Sequence, residues 1–225
     1  QVKVCEDPST GGVDFVCISN ANKFVVEVTC LEPESVATQS GAPNEIVDGN
    51  VVWFRMITHM LRTKVSSKAS QLSGYAMPRL LAITSDHVLA DTLLGTRGAE
   101  ALLTSDTKIE VPIDKPIDNV GVATDLKDSV FFRFNGKNIE PCKMSVSAIL
   151  LVAIHADKSL IVGISHPEPK YPFPISLLPS VPLLRLKEWP PKDNHLETEW
   201  IVSKPTPGDF LHSKVVIKDE ELKSR

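Results

Sequence analysis

The order of hydrophobic periods in the first 85 residues leaves this chain few folds to choose from. Two runs rich in β-branched and aromatic residues, Val13 to Ser19 and Lys23 to Leu31, flank Asn20-Ala21-Asn22. The short polar stretch reads as a tight turn, which makes the pair a β-hairpin. Then Phe54, Ile57, Leu61, Val65, Lys68 and Leu72 recur at spacings of three, four, four, three and four, the stripe of an amphipathic helix. After a break from Gly74 to Pro78 comes an apolar strand, Arg79 to Thr84. A helix that crosses over to a parallel strand packs on the sheet it leaves. The expected class is therefore α/β, a mixed central β-sheet flanked by helices.

Three charged residues interrupt these apolar segments. With an even hairpin loop and no bulge, residues whose numbers sum to that of Ser19 and Asn22 face each other, which sets Asp14 across from Glu27 with their Cβ atoms roughly 5 Å apart. Two like charges that close are costly to desolvate unless a cation sits between them. Mg²⁺ suits such a place, because it takes oxygen ligands and few carboxylates. The competing reading is that both carboxylates lie on a solvated sheet face. Strand parity keeps Val25 and Thr29 on the face of Glu27. Lys68 occupies a core slot of the helix, with Lys64 one turn before it and Gln71 one turn after. Taken alone, such a lysine snorkels to solvent, but the order hairpin, helix, strand lets it reach the hairpin's carboxylates.

This sequence of Asp14, then Val26-Glu27-Val28-Thr29, then Lys68-Ala69-Ser70-Gln71-Leu72 before a buried strand resembles the PD-(D/E)xK nuclease superfamily, the restriction-endonuclease-like fold. The resemblance covers roughly residues 1 to 84. The usual motif is an aspartate followed, one strand later, by a glutamate, any residue and a lysine. Thr29 stands in that lysine slot here, and Lys68 with Gln71 is similar to branches that carry the lysine on the following helix. Val13 stands where a proline often precedes the aspartate. A first helix with a further acidic residue, common in the family, is expected upstream of Gln1 or absent. The resemblance implies a metal-dependent nuclease hydrolysing phosphodiester bonds of nucleic acid, with DNA favoured. Asp14, Glu27 and the backbone carbonyl of Val28 would hold Mg²⁺ or Mn²⁺. Lys68 would position the attacking water or stabilise the charge of the pentacovalent state, Gln71 would orient Lys68 or the phosphate, and Thr29 would hydrogen-bond the water. Two other classes stay open: a non-catalytic binding module that keeps the nuclease fold, and a partner-binding protein that works through its C-terminal part.

The remaining sequence sets outer limits. A chain of 225 residues can bury one sizeable core. Its hydrophobic content of 42% and charged content of 23% are ordinary for a globular protein. The longest apolar run, Ala148 to Ile154, is too short to span a bilayer. No signal peptide is visible, so a cytoplasmic protein without membrane contact is expected, and a homodimer is compatible with the sequence. Cys5, Cys17, Cys30 and Cys142 form no Cys-x-x-Cys pair and read as free core thiols. The net charge of −4 is unlike a nucleic-acid binder, yet a local cluster of Arg62, Lys64 and Lys68, with Arg79 beyond, suffices to meet a phosphate. The six histidines show no zinc spacing, and neither a phosphate-binding glycine loop nor Gly-x-Ser-x-Gly is present. His155 and His166 bracket a second hairpin and are read as surface or core residues.

In the second half, a helix is expected over His87 to Leu94, capped by Ser85 or Asp86, with another turn over Ala99 to Leu103. Loop with one strand at Val130 to Phe134 is expected between Thr104 and Lys143, then a hairpin of Ser145 to His155 and Leu160 to Ile164. From His166 onward prolines recur through Pro207, which predicts extended coil. The expected organisation is a restriction-endonuclease-like domain over 1–165 and a proline-rich C-terminal extension over 166–225 that packs on the core.

Overall fold

The central sheet is built outward from the first hairpin. The computed structural model describes residues 1–5, 12–19, 21–40, 54–105, 108–110, 121–124, 126–154, 159–192, 195–201 and 213–217. Strands β2 (Phe15–Ser19) and β3 (Asn22–Cys30) pair antiparallel from Ser19 beside Asn22 to Phe15 beside Val26, the register that an unbulged two-residue loop requires. A short strand β1 (Val2–Val4) edges β2. Helices α1 (Pro33–Ser40) and α2 (Phe54–Leu72) follow, and β4 (Arg79–Ser85) then returns parallel to β3. Helices α3 (Ala90–Leu93) and α4 (Thr96–Thr104) lead to β5 (Lys108–Glu110) and β6 (Gly121–Thr124). After the separate two-stranded ribbon of β7 (Phe132–Phe134) and β8 (Ile139–Pro141), β9 (Ala148–Ile154) enters the sheet parallel to β4 and β10 (Ser159–Ser165) turns back antiparallel. The last strands are β11 (Leu183–Leu186), β12 (His195–Ile201) and β13 (Ser213–Ile217). Among the described residues they complete an 11-stranded mixed sheet of order β1-β2-β3-β4-β9-β10-β11-β12-β13-β6-β5.

The α2 stripe falls where its spacing puts it. Leu61, Val65, Ala69 and Leu72 lie in one buried cluster with Val25, Leu81, Ile83, Ile149 and Leu151, the odd-numbered face of β3, β4 and β9. The side chains of Phe54 and Ile57 lie outside the described residues. On the opposite face Phe24, Leu80 and Ala148 are covered by Phe173, Leu177 and Leu178, with the Phe24 and Phe173 rings edge to face at 5.2 Å.

Several expectations for the second half are corrected. The chain after residue 165 is not coil throughout: its first stretch lies over the sheet as irregular chain, but β11, β12 and β13 are strands of the main sheet. The prolines mislead because they sit between strands, at Pro182 before β11 and at Pro190 and Pro191 before β12, where no ladder N–H is needed. Pro205-Thr206-Pro207, His155 and His212 lie outside the described residues. Among the described residues between Thr104 and Lys143 there are four short strands rather than one. The helix expected from His87 is shortened because Ser85 Oγ accepts the His87 N–H and His87 Nδ1 accepts the Leu89 N–H, holding those residues in a turn, and neither Ser85 nor Asp86 caps α3. The cysteines are free but half-buried, at the margin of the core rather than inside it. No described helix is long and apolar enough to cross a membrane.

Gly98 lets α4 start against the end of α3. A Cβ there would lie 2.1 Å from the Leu93 carbonyl oxygen and 2.9 Å from its carbon, so backbone would have to move. Gly98→Ala is expected to lower stability by about 3 kcal/mol, the cost of overpacking a close backbone contact. Urea denaturation checks this, and an unchanged midpoint would contradict the packing.

Candidate functional site

The site begins where the hairpin ladder ends. Beyond the last paired residues, Phe15 and Val26, the same register makes Asp14 and Glu27 the next rung. Alternation from the closing pair makes it a non-hydrogen-bonded rung, the kind that brings facing side chains closest. On the following rung the ladder is broken. Val13 turns away to donate its N–H to the Tyr75 hydroxyl at 3.1 Å, and the Asp14 carboxylate takes over as acceptor of the Val28 N–H at 2.5 Å. The Asp14 main-chain oxygen accepts the N–H of Cys5, at 2.8 Å. Asp14 is thereby tied to β3 through its side chain and to the β1 end through its backbone. The N–H and C=O of a strand residue point to the same side, so the Val28 carbonyl is directed to the Asp14 side of β3 as well.

Glu27 projects from β3 toward α2, on the same face as Val25 and Thr29. Its side chain is only 2% exposed, and Oε1 accepts from Lys68 Nζ at 2.6 Å. The Lys68 ammonium donates again to Gln71 Oε1 at 3.1 Å, and Gln71 Nε2 donates to the Gly12 carbonyl at 2.5 Å. A chain of contacts thus runs Glu27, Lys68, Gln71, Gly12 and, two residues on, Asp14, whose carboxylate closes it on Val28 beside Glu27. Gly12 has φ +145°, a conformation that a side chain disfavours, and in it the carbonyl meets Gln71. Thr29 is buried on the Glu27 face, one strand repeat of about 7 Å further along.

Lys68 therefore reaches the hairpin as the element order requires, and Asp14, Glu27, Val28, Lys68 and Gln71 come together. The expectation that the two carboxylates need a metal between them is amended: Lys68 already supplies Glu27 with a cation. What it leaves is Glu27 Oε2, a buried oxygen without a hydrogen-bond partner. Among the described residues no three His, Cys, Asp or Glu side chains converge. A cation here would have two carboxylates, a backbone oxygen and water. That donor set fits Mg²⁺ or Mn²⁺, since Mg²⁺ is held by one or two carboxylates and keeps several waters.

The basic cluster is smaller than the sequence suggests. Arg79 is 1% exposed: its Nη1 donates to the Leu72 and Ser73 carbonyls at 3.0 and 3.2 Å, closing the end of α2, and its guanidinium lies 4.9 Å from the Tyr171 ring centroid. It cannot meet a phosphate and is removed from that role. Arg62 pairs with Asp128 and donates to the Lys127 carbonyl at 3.0 Å, while Lys68 is bonded to Glu27. Sequence reasoning missed Tyr75 and Gly12, which hold the loop before Asp14 in place. No local signal pointed to them, since Tyr75 lies in the break after α2 and its hydroxyl meets Val13 across 62 residues. Compared with protein-family models, curated proteins and solved structures, the chain matches none.

Proposed function

We propose that this chain is a metal-dependent nuclease that hydrolyses phosphodiester bonds, DNA favoured, on a restriction-endonuclease-like core formed by β2, β3, α2 and β4. The observation that carries the reading is the buried Glu27 carboxylate, one oxygen on Lys68 and the other without a partner, across the hairpin from Asp14. A solvated surface acid would not be 2% exposed, as Glu27 is, or hold a part-buried bond to an ammonium. Asp14, Glu27 and the Val28 carbonyl would hold Mg²⁺ or Mn²⁺, which would lend charge to the scissile phosphate and lower the pKa of a bound water. Lys68 supplies a positive charge on a flexible stem beside the carboxylates, placed to stabilise negative charge as it develops on the phosphate. Gln71 is a positioning residue, because its amide spans Lys68 and the Gly12 carbonyl and so fixes the ammonium relative to the Asp14 loop. Thr29 would orient water on the Glu27 face.

The test is cleavage of single- and double-stranded DNA and RNA with Mg²⁺ or Mn²⁺, run beside Asp14→Asn and Glu27→Gln. Cutting by the wild type that both variants lose supports the reading. Metal binding without cleavage of any substrate supports the non-catalytic module instead, which Thr29 in the usual lysine slot favours.

A further inference from the structure

We infer that Lys68 is the resident counter-ion of this site: its ammonium holds Glu27 in the metal-free protein and is exchanged for the divalent cation, so metal entry and the release of Lys68 are one coupled event. The inference rests on the metal site proposed above and goes beyond it, because it makes the same lysine a competitor of the metal before it acts on the phosphate. Three observations carry it. The Glu27 side chain is 2% exposed while that of Lys68 is 28% exposed, so of the pair the lysine is the member in contact with solvent. The contact at 2.6 Å occupies Oε1 and leaves Oε2 without a partner: one monovalent charge neutralises the carboxylate without saturating its oxygens, as a multi-ligand cation would. The lysine also has somewhere to go. Its second acceptor, Gln71 Oε1 at 3.1 Å, is anchored to Gly12 at 2.5 Å rather than to Glu27, so Nζ can let go of the carboxylate and keep that bond by rotating its flexible stem.

Two cations that compete for one carboxylate oppose each other's binding by the same factor. Removing the lysine charge must then strengthen metal binding, the reverse of what a lysine that helps to build the metal site would do. Isothermal titration with MnCl₂ alone, without nucleic acid, on wild type, Lys68→Met, Lys68→Arg and Glu27→Gln tests this. Lys68→Met is expected to bind Mn²⁺ on the order of tenfold tighter than wild type, Lys68→Arg to bind as wild type does, and Glu27→Gln to lose binding. Unchanged or weaker binding by Lys68→Met while wild type binds overturns the inference and leaves the nuclease reading standing. Absence of binding in wild type and Lys68→Met alike overturns both. A measurement on the wild type covers the case in which Lys68→Met does not fold. With ¹⁵N-labelled lysine, the Lys68 amine signal is expected to shift as Mg²⁺ is added, and a signal unmoved at saturating Mg²⁺ overturns the inference.

Discussion

Lys68→Ala is expected to show two losses at once: cleavage in Mg²⁺ or Mn²⁺ slower by about a hundredfold, on the order of removing one preorganised charge-stabilising group, and a metal-free protein less stable by about 2 kcal/mol. The stability loss follows from the geometry, since the variant leaves a carboxylate that is 2% exposed with no cation and no donor at Oε1. Breaking a fully buried pair costs about 3 to 5 kcal/mol. Lys68 is partly exposed, so water entering its vacated space offsets some of that. Added Mn²⁺ should restore stability while leaving the rate defect, because the cation replaces the lysine as counter-ion to Glu27 but not as the charge beside the phosphate. Thermal melts with and without Mn²⁺, together with single-turnover cleavage, separate the two effects. Thr29→Ala should slow cleavage less than Lys68→Ala if the lysine has moved to the helix. Equal cleavage by wild type and Lys68→Ala would sink the catalytic role.

The second large effect is on acid stability, through His166. Burial pushes its imidazole from the ordinary 6.5 down to about 4, against the opposing pull of its bond to the Cys142 carbonyl and of Glu168, with Lys143 adding to the depression. In the neutral ring both nitrogens are used: Nε2 lies 2.8 Å from the Cys142 carbonyl as donor, and Nδ1 accepts the Glu168 N–H at 2.9 Å. The ring also packs on Phe131 with centroids 4.3 Å apart. Protonation would turn Nδ1 into a second donor facing an N–H. The unfolded chain takes up this proton near pH 6.5 and the folded one only near pH 4, so the contribution is complete above pH 6.5. It falls by about 1.4 kcal/mol per pH unit below that, and is lost by pH 4, about 3 kcal/mol in all. His166→Gln should be less stable than wild type at pH 7 and converge on it toward pH 4. Parallel slopes for the two proteins in denaturant melts across this range would show that another group carries the acid sensitivity.

Local periods made the first half of the molecule legible. Alternation over Val13 to Leu31 and the short turn set the hairpin register, and with it the rung of Asp14 and Glu27, because strand side chains repeat every two residues and a shift of one would turn the apolar set outward. The stripe from Phe54 to Leu72 defined α2 and the side on which Lys68 emerges for the same kind of reason. The C-terminal strands were not legible, since β11 finds its place only by pairing with β10 across the sheet, and prolines in the connections masked its pattern. The order of elements let Lys68 reach Glu27, but the sequence could not say that Asp14 accepts the Val28 N–H or that Arg79 is buried. Lys68 meets Glu27 across 41 residues and Gln71 meets Gly12 across 59, and Arg79 is drawn inward by the carbonyls left open at the end of α2. Local sequence thus determined which faces carry the polar residues, while tertiary structure alone decided which of those groups are buried and paired, because burial and pairing depend on segments that approach only after the chain has folded.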